Sequence, residues 1–340
     1  MPWNLVGHDW AANILAQHIQ HDTVRHAYLF CGPAGVGRHS LALLFAQALI
    51  CPDTRENGQP CLVCSSCKRI ARMQHPDLLV VSVADNRKEI LIEQVRSLQH
   101  DLSLAPYEAP IRIGLLLDFQ NASDNAQNAI LKTLEEPSSR AVLLVTASRP
   151  EDLLPTISSR CEVFLLKPAP IEEVALTLEN KEGLPKDSAR QIAHLSGGCY
   201  GRAMALHMDP AVIEKDTAYI DGLIHAMAST LQERFAYAEE LTHRKPSARA
   251  SLQEAIRVWI SFWRDVLIIR GGGNAPLIHI RHETTLRKVS EIISLPDLHT
   301  QLIHLEEGLD NLDKNANTRL LAEVLLMELP HLHVPGTMKI

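Results

Sequence analysis

Residues 32–40 read Gly-Pro-Ala-Gly-Val-Gly-Arg-His-Ser and have the glycine spacing of a Walker A phosphate-binding loop. In an active loop of this kind, backbone N–H groups surround the phosphates at the start of a helix. A Lys followed by Ser or Thr then holds the outer phosphates and Mg²⁺. Arg38 and His39 occupy those two positions here. The stretch predicts the strand–loop–helix turn of a nucleotide-binding α/β fold whose catalytic site is altered.

The two altered residues change the chemistry of the loop in different ways. The guanidinium of Arg38 is a planar fork and does not replace the point charge of Lys. His39 is a poor ligand for Mg²⁺, which prefers hard oxygen. Gly32, Gly35 and Gly37 still permit the loop geometry. Whether a nucleotide binds passively, or the loop is a glycine-rich turn without a ligand, stays open from this stretch alone.

A second catalytic position is also altered. Three leucines at 115–117 are followed by Asp118, which fits the acidic end of a Walker B strand. A hydrolytic site of this class normally has Glu next, because a carboxylate there polarises the attacking water. Phe119 follows instead and cannot act as a base. Two altered positions in one chain favour a site that folds like an ATPase and does not turn over.

Four cysteines form the strongest metal-binding signal. Cys51, Cys61, Cys64 and Cys67 are spaced so that four thiolates can surround one tetrahedral ion. Thiolates favour Zn²⁺ or an iron–sulfur cluster. Zinc is the better prediction because short insertions use it as a local staple and nothing else in the chain indicates electron transfer. A site closed by four cysteines is structural, since it keeps no open position for catalysis.

Length, charge and composition limit the class of protein. A chain of 340 residues predicts two or three domains, and its formal net charge of −7 argues against a large basic DNA-binding face without excluding a local one. Residues 1–4 do not begin a secretory signal, and no uncharged apolar run reaches the roughly 18 residues of a membrane span. We therefore expect a cytoplasmic protein, with reduced thiols or a metal site rather than disulfides.

Strand and helix patterns alternate over the first 165 or so residues. Buried-strand patterns occur at 27–31, 78–83, 111–117 and 141–146, with helical patterns at 40–50 and 124–134. This alternation predicts a parallel sheet covered by helices on both faces.

Helical patterns dominate the rest of the chain. Residues 171–206 predict small helices, and longer helices are predicted at 212–231, 234–244, 247–270, 286–294 and 298–329, the last one split. An apolar stripe on the third of these contains Trp259, Phe262, Trp263 and Leu267. It is interpreted either as bundle core or as an interface with other subunits.

Several runs together resemble the clamp-loader subunits of bacterial DNA polymerase III, which belong to the AAA+ class. These are His-Ala-Tyr-Leu-Phe at 26–30, His-Pro-Asp-Leu at 75–78, Asn-Ala-Ile-Leu-Lys-Thr-Leu-Glu-Glu-Pro at 128–137 and Ser-Arg-Cys at 159–161. The four cysteines also lie where that family carries its zinc module. The resemblance is specific over 20–170 and weaker beyond.

The resemblance implies an architecture of three parts. Residues 1–168 would form an α/β AAA+ domain, a RecA-like parallel sheet with a zinc module inserted at 51–67. Residues 169–208 would form a small helical lid domain. Residues 209–340 would form an all-α collar domain through which subunits assemble.

The resemblance also implies roles for individual residues. Arg160 would be an arginine finger that reaches the γ-phosphate of ATP held by a neighbouring subunit, and Ser159 and Cys161 would position it without reacting. Arg202, in Gly198-x-x-Gly201-Arg202, lies where the family places a sensor arginine. With Arg38-His39 and Asp118-Phe119 altered, the chain is similar to the branch of the family that does not hydrolyse ATP. No intrinsic ATPase is then expected, although the chain would be part of the DNA-directed DNA polymerase holoenzyme.

The implied partners are gamma or tau motor subunits, a delta subunit, the beta sliding clamp and, through the hetero-oligomeric complex, primer-template DNA. Two other functions are weighed against this one. An ATP-hydrolysing gamma/tau-type motor would need Arg38 to replace Lys and another acid, such as Glu135, to activate water. A zinc or iron–sulfur DNA-binding protein would need a basic patch, which the composition does not favour.

Overall fold

The computed structural model describes residues 3, 5–54, 57–84, 87–242 and 248–331. Within them, five parallel strands form one sheet in the order β2-β3-β4-β1-β5. The strands are β1 Ala27–Cys31, β2 Leu78–Val81, β3 Arg112–Leu116, β4 Ala141–Ala147 and β5 Glu162–Leu165. The predicted parallel sheet is confirmed, and its first four strands lie where the sequence predicted them, with small differences at their ends.

The core lies on both faces of this sheet. Alternate residues of a strand point to opposite faces, so Tyr28 and Phe30 of β1 pack in one apolar cluster and Leu29 and Cys31 in another. All five residues of β1 are buried, as expected for a central strand covered on both sides.

The edge strand β5 was not predicted from the sequence. Its only well buried residue is Phe164, while Val163 and Leu165 are exposed, so it lacks the apolar run of a central strand. β5 pairs with β1 so that Glu162 lies opposite Tyr28 and Leu165 opposite Cys31. The phosphate loop follows the carboxyl end of β1. Residues 159–161 precede the amino end of β5. They therefore lie where the parallel strands begin, at the end of the sheet opposite the phosphate loop.

Helices connect the strands. They are α1 Asp9–Gln20, α2 Arg38–Ile50, α3 Ser65–Ala71, α4 Ile92–Ser103, α5 Asp124–Glu135, α6 Pro155–Ser158 and α7 Ile171–Glu182, followed by α8 Lys186–Leu195 and α9 Tyr200–Met208. The predicted helix at 124–134 is confirmed as α5. Its N-cap is Ser123, whose hydroxyl accepts the N–H of Ala126 at 3.3 Å.

The chain divides into two units. The first contains residues 1–184 and 198–203, and the second contains 185–197 and 204–340. The division into an α/β domain, a lid and a collar at residues 168 and 208 stays a prediction. No helix in the described ranges has both the length and the apolar character needed to cross a lipid bilayer.

The second unit is helical, as predicted. Its longer helices are α10 Pro210–Ala228, α11 Leu231–Thr242, α12 Ala248–Arg270, α13 Glu283–Ile292, α14 Leu295–Asp313 and α15 Thr318–Met327. The predicted helix ends at 244 and 247 lie outside the described residues. The predicted split after 298 is confirmed, because α14 ends at Asp313 and the side chain of Asn317 caps α15 by accepting the N–H of Leu320 at 3.1 Å.

The apolar stripe on α12 belongs mainly to the core of this unit. Trp259, Phe262 and Trp263 are fully buried, and the indole N–H of Trp259 donates to the carbonyl oxygen of Tyr219 at 3.1 Å. Only Leu267 of the predicted stripe remains exposed. The interpretation as bundle core is therefore correct for the three aromatic residues.

Candidate functional site

The phosphate loop joins β1 to α2 and depends on its glycines. Gly35 and Gly37 have φ angles of +77° and +117°, in the left-handed region that residues with side chains rarely adopt. The carbonyl oxygen of Gly35 accepts the N–H of Gly201 at 2.8 Å, and a Cβ atom on Gly35 would lie 2.7 Å from the backbone nitrogen of Arg202. The loop therefore needs glycine both for its turn and for close contact with the start of α9.

Arg38 points into the protein rather than out over the loop. Its side chain is only 9% exposed, and one guanidinium nitrogen donates to the carbonyl oxygen of Gly32 at 2.5 Å. The other terminal nitrogen forms an ion pair with the carboxylate of Asp118. The residue at the position of the phosphate-binding lysine thus joins the loop to the end of β3, and its donors are engaged inside the chain.

Asp118 is the acidic residue that the sequence predicted at the end of a Walker B strand. It has a φ of +51°, and its backbone N–H donates to the hydroxyl of Thr146 at 2.8 Å. The ring Nε2 of His39 lies 3.3 Å from its carboxylate. The hydrogen bond from His39 and the charge of Arg38 lower the pKa of Asp118, against the opposing effect of burial. The carboxylate is therefore ionised at neutral pH and matched by a fixed cation.

The next residue supplies no catalytic base. Phe119 is fully buried in a short 3-10 turn, in the apolar cluster below the sheet. Thr146 on β4 is buried, and its hydroxyl accepts the backbone N–H of Asp118. Phe119 is therefore used for packing, and Thr146 for local hydrogen bonding.

A cavity of about 360 Å³ remains above the loop. Its lining includes loop residues 34–37, Arg38, His39, His8, Asp118 and Tyr200. His8 is buried; its Nε2 lies 2.8 Å from the carbonyl oxygen of Val36, and its Nδ1 has no hydrogen-bond partner. The volume lies in the range of small-ligand pockets, and Asp118 is the one carboxylate among the described lining residues.

Arg202 lies at the start of α9, where the sequence placed a sensor arginine. The residue is exposed, and its backbone nitrogen packs against Gly35 as described above. The structure thus brings Gly32, Gly35, Gly37, Arg38, His39 and Asp118 together, with Arg202 beside the loop.

The four predicted metal ligands converge in space. The sulfur atoms of Cys51, Cys61, Cys64 and Cys67 all lie within 4.8 Å of one another, and those of Cys51 and Cys64 are 3.9 Å apart. Tetrahedral zinc with Zn–S bonds of about 2.3 Å needs sulfur–sulfur distances of about 3.8 Å. The donor set therefore fits a zinc ion.

Local structure builds this cluster. Cys51 follows the last residue of α2, Cys64 is the N-cap of α3 and accepts the N–H of Cys67 at 3.4 Å, and the N–H of Cys64 donates to the sulfur of Cys61 at 3.3 Å. The N–H groups of Cys64 and Val63 lower the pKa of Cys61 to about 7. Backbone donors aimed at Cys61 favour its thiolate, the form that binds metal, whereas burial raises the pKa of Cys51 and Cys67 in the metal-free cluster.

Arg160 lies in the turn between α6 and β5 and is partly exposed. One guanidinium nitrogen donates to the carbonyl oxygen of Thr156 at 3.0 Å and another to the carboxylate of Glu135 at 2.8 Å. The hydroxyl of Ser159 donates to the same carbonyl at 3.3 Å. Burial raises the pKa of Cys161 to about 12, so its thiol is not a nucleophile at neutral pH.

The contact with Glu135 fixes where Arg160 lies. α5 begins shortly after Asp118, at the carboxyl edge of the sheet, and ends at Glu135 just before β4 begins. Arg160 therefore lies at the amino ends of the parallel strands, away from the phosphate loop of its own chain.

Several residues of the site carried no sequence signal. His8 precedes α1 without a motif, and Tyr200 is an unspecified position within Gly198-x-x-Gly201-Arg202. Gln120, whose side-chain oxygen accepts the N–H of Ser148 at 3.2 Å, follows the altered Asp-Phe pair. Glu135 was considered only as a substitute base. Its contact with Arg160 depends on the turn before β5, the strand that the sequence did not reveal.

Comparison with known proteins gives the family. A family model described as DNA polymerase III, delta subunit, matches residues 7–170. The delta' subunit of Pseudomonas aeruginosa is 35% identical over 202 residues, covering 58% of this chain and 60% of that protein. The delta' subunit of Bacillus subtilis is 26% identical over 323 residues, covering 93% and 94%.

Tau subunits match as well. That of Escherichia coli is 31% identical over 235 residues, covering 68% of this chain and 36% of the relative, so the chain spans little more than a third of its length. The match over 7–170 contains the phosphate loop, the cysteine cluster and Ser159–Cys161. Together, the family model and the delta' relatives show that this chain belongs to the clamp-loader subunit family of bacterial DNA polymerase III.

Proposed function

We propose that the chain acts as a delta-prime-type AAA+ subunit of a clamp loader. It does not hydrolyse ATP itself and donates Arg160 to the nucleotide site of a neighbouring motor subunit. In this way it helps to load a sliding clamp onto primed DNA. The observation that carries the proposal is the ion pair between Arg38 and Asp118. It occupies both the cationic and the acidic position that an active motor would use to hold phosphate and Mg²⁺.

The phosphate loop supports the absence of turnover. In an active site the lysine neutralises the outer phosphates and the acidic strand end helps to hold Mg²⁺. Here Arg38 is bound to the loop carbonyl and to Asp118, and Phe119 stands where the base would be. The cavity above the loop has room for a passively bound nucleotide.

The position of Arg160 supports action on another subunit. It lies at the edge of the sheet opposite its own loop, and it is partly exposed to solvent. A guanidinium presented in trans stabilises the charge of the phosphoryl-transfer transition state and is worth about 10³–10⁵ in rate. Dependence on a neighbour's arginine would also link hydrolysis to assembly.

The gamma/tau-type motor is disfavoured by two contacts. Arg38 would have to leave Asp118 before it could hold a phosphate. Glu135, the substitute base, is paired with Arg160 at the far edge of the sheet and is not among the residues that line the cavity. A chain of this type would need both groups to move.

A structural zinc ion held by Cys51, Cys61, Cys64 and Cys67 is part of the proposal. When bound, the ion would tie the end of α2 to the start of α3 by four thiolate bonds. The carbonyl oxygen of Cys67 accepts the side-chain N–H of Gln47 at 2.8 Å, which anchors the module to α2.

The second unit is proposed to join the helical domains of other subunits in the collar. With the aromatic residues of α12 in the core, the surface of α15 is a better candidate. Leu320, Val324 and Met327 recur at helical spacing on α15 and are exposed. Gamma or tau, delta, the beta clamp and primed DNA are the proposed partners.

Reconstitution tests this function. The isolated chain should show no appreciable ATPase, with or without primed DNA. Mixing it with gamma or tau and delta subunits should give a stable complex with DNA-dependent ATPase that is absent when the chain is omitted. DNA-stimulated turnover by the isolated chain would overturn the proposal, as would failure to enter the complex.

A further inference from the structure

The loop between α4 and β3 displays a tyrosine on a firmly held backbone. Asp77 is fully buried, and its carboxylate accepts the backbone N–H groups of Tyr107, Glu108 and Ala109 at 2.6, 2.9 and 2.9 Å. Burial acts to raise the pKa of Asp77, but these three donors outweigh it and lower the pKa. The side chain of Tyr107 is nevertheless 80% exposed. The fold thus fixes the backbone and leaves the ring in solvent.

The same loop touches a basic helix. Glu108 forms an ion pair with Arg69 of α3, and its carboxylate lies 2.9 Å from Nε2 of His75. α3 and the residues just after it, 65–76, contain Lys68, Arg69 and Arg72 and no Asp or Glu. Lys68 on α3 and Arg72, the residue that follows the last turn of α3, are both exposed.

The positive charge of this cluster is opposite in sign to the net charge of the chain. The chain carries a formal net charge of −7, yet three cations gather on α3 and the residue that follows it. Glu108 offsets one of them, which leaves Lys68 and Arg72 to act on a ligand. A rigid tyrosine costs little conformational entropy when it binds a partner. Exposed cations and an exposed aromatic ring on neighbouring elements are a combination with which proteins hold single-stranded nucleic acid, by phosphate contacts and base stacking.

We propose that Lys68, Arg72 and Tyr107, here called the basic–aromatic patch, bind single-stranded nucleic acid. Phosphates contact the cations, and an unpaired base stacks on Tyr107. A base can stack only where it is not already paired and enclosed in a duplex, so the patch prefers single strands. Binding of this kind is measured on the isolated chain and does not depend on ATP hydrolysis or on assembly with other subunits.

The test is fluorescence anisotropy of a labelled oligothymidine titrated with the purified full chain over a series of salt concentrations. Tyr107→Ala should weaken binding about tenfold, within the range that stacking of one base supplies. Tyr107→Phe keeps the ring and should bind like the unaltered chain. Arg72→Ala should lower the magnitude of the salt slope by about 0.7, the value for one phosphate contact on a single strand.

Arg149→Ala is the matched control for charge. Arg149 is also exposed, but it pairs with Asp152 away from the patch, so its removal should leave binding and salt slope unchanged. Equal metal content and equal thermal unfolding of all variants show that the cysteine module and the fold are intact. Unchanged binding by Tyr107→Ala and Arg72→Ala would overturn the proposal. The proposal would also be overturned if the chain bound the matching duplex equally tightly, or if it did not bind the oligothymidine at low salt.

Discussion

Replacing Arg38 by Ala should destabilise the α/β unit by about 2–4 kcal/mol. Its guanidinium makes two close contacts, with the carbonyl oxygen of Gly32 and with the carboxylate of Asp118. A hydrogen bond that involves a charged group contributes about 1.5–3 kcal/mol, so two of them give about 3–6 kcal/mol. The side chain of Asp118 is 31% exposed, and water will recover part of its interaction energy. The expected loss is therefore below that sum.

A double-mutant cycle isolates the ion pair. Arg38→Ala, Asp118→Ala and the double variant should give a coupling free energy of about 1–2 kcal/mol, since either single change leaves a charge without its partner. Urea unfolding measures the free energies, and amide exchange in β1 and α2 shows that the α/β unit is the part affected.

The exposed pair Arg149–Asp152 supplies the matched control cycle. Its atoms are 2.8 Å apart, but Arg149 is solvated, so its coupling should be close to zero. Additive effects of Arg38→Ala and Asp118→Ala, with coupling below the roughly 0.5 kcal/mol seen for independent sites, would refute the ion pair as a contact that stabilises the loop.

The cysteine module and the loop support give two further predictions. Cys64→Ser should release zinc and lower protection of residues 51–67 in exchange experiments, whereas Cys199→Ser should keep stoichiometric metal; full zinc retention by Cys64→Ser would count against the site. Because the folded-state pKa of Asp77 is lowered, its stabilising effect is present above its unfolded pKa of about 3.9 and is lost as the pH falls below that value. Asp77→Asn should therefore be less stable at neutral pH and lose less on acidification, as measured by urea unfolding at several pH values, and parallel pH curves would contradict this assignment.

The sequence predicted the features that depend on local pattern. The strands at 27–31 and 141–147 are apolar apart from Thr146 and lie in the middle of the sheet, so burial on both faces is visible in their composition. The cysteine spacing predicted convergence because the turn between Cys61 and Cys67 is short. The glycines of the phosphate loop predicted backbone geometry, which Gly35 and Gly37 adopt.

Features that depend on distant contacts were not predictable. The spacing of the loop placed Arg38 in the chain but did not show that its side chain turns toward Asp118, since that depends on how β4 holds β3 and β1 on its two sides. β5 was not predicted because Val163 and Leu165 are exposed in this edge strand, so it lacks the apolar pattern of a buried strand. The apolar stripe of α12 suited either core or interface, and only the packing of the neighbouring helices decided between them.

The most direct test of the account is the ATPase of the reconstituted complex containing Arg160→Ala, compared with Arg149→Ala as a charge-matched control. Both variants should fold and assemble. With Arg160→Ala, hydrolysis at the neighbouring site should fall by about 10³-fold or more, since the transition-state charge loses its guanidinium. The control should hydrolyse ATP at the normal rate. Unchanged hydrolysis and clamp loading by the Arg160→Ala complex would contradict the account.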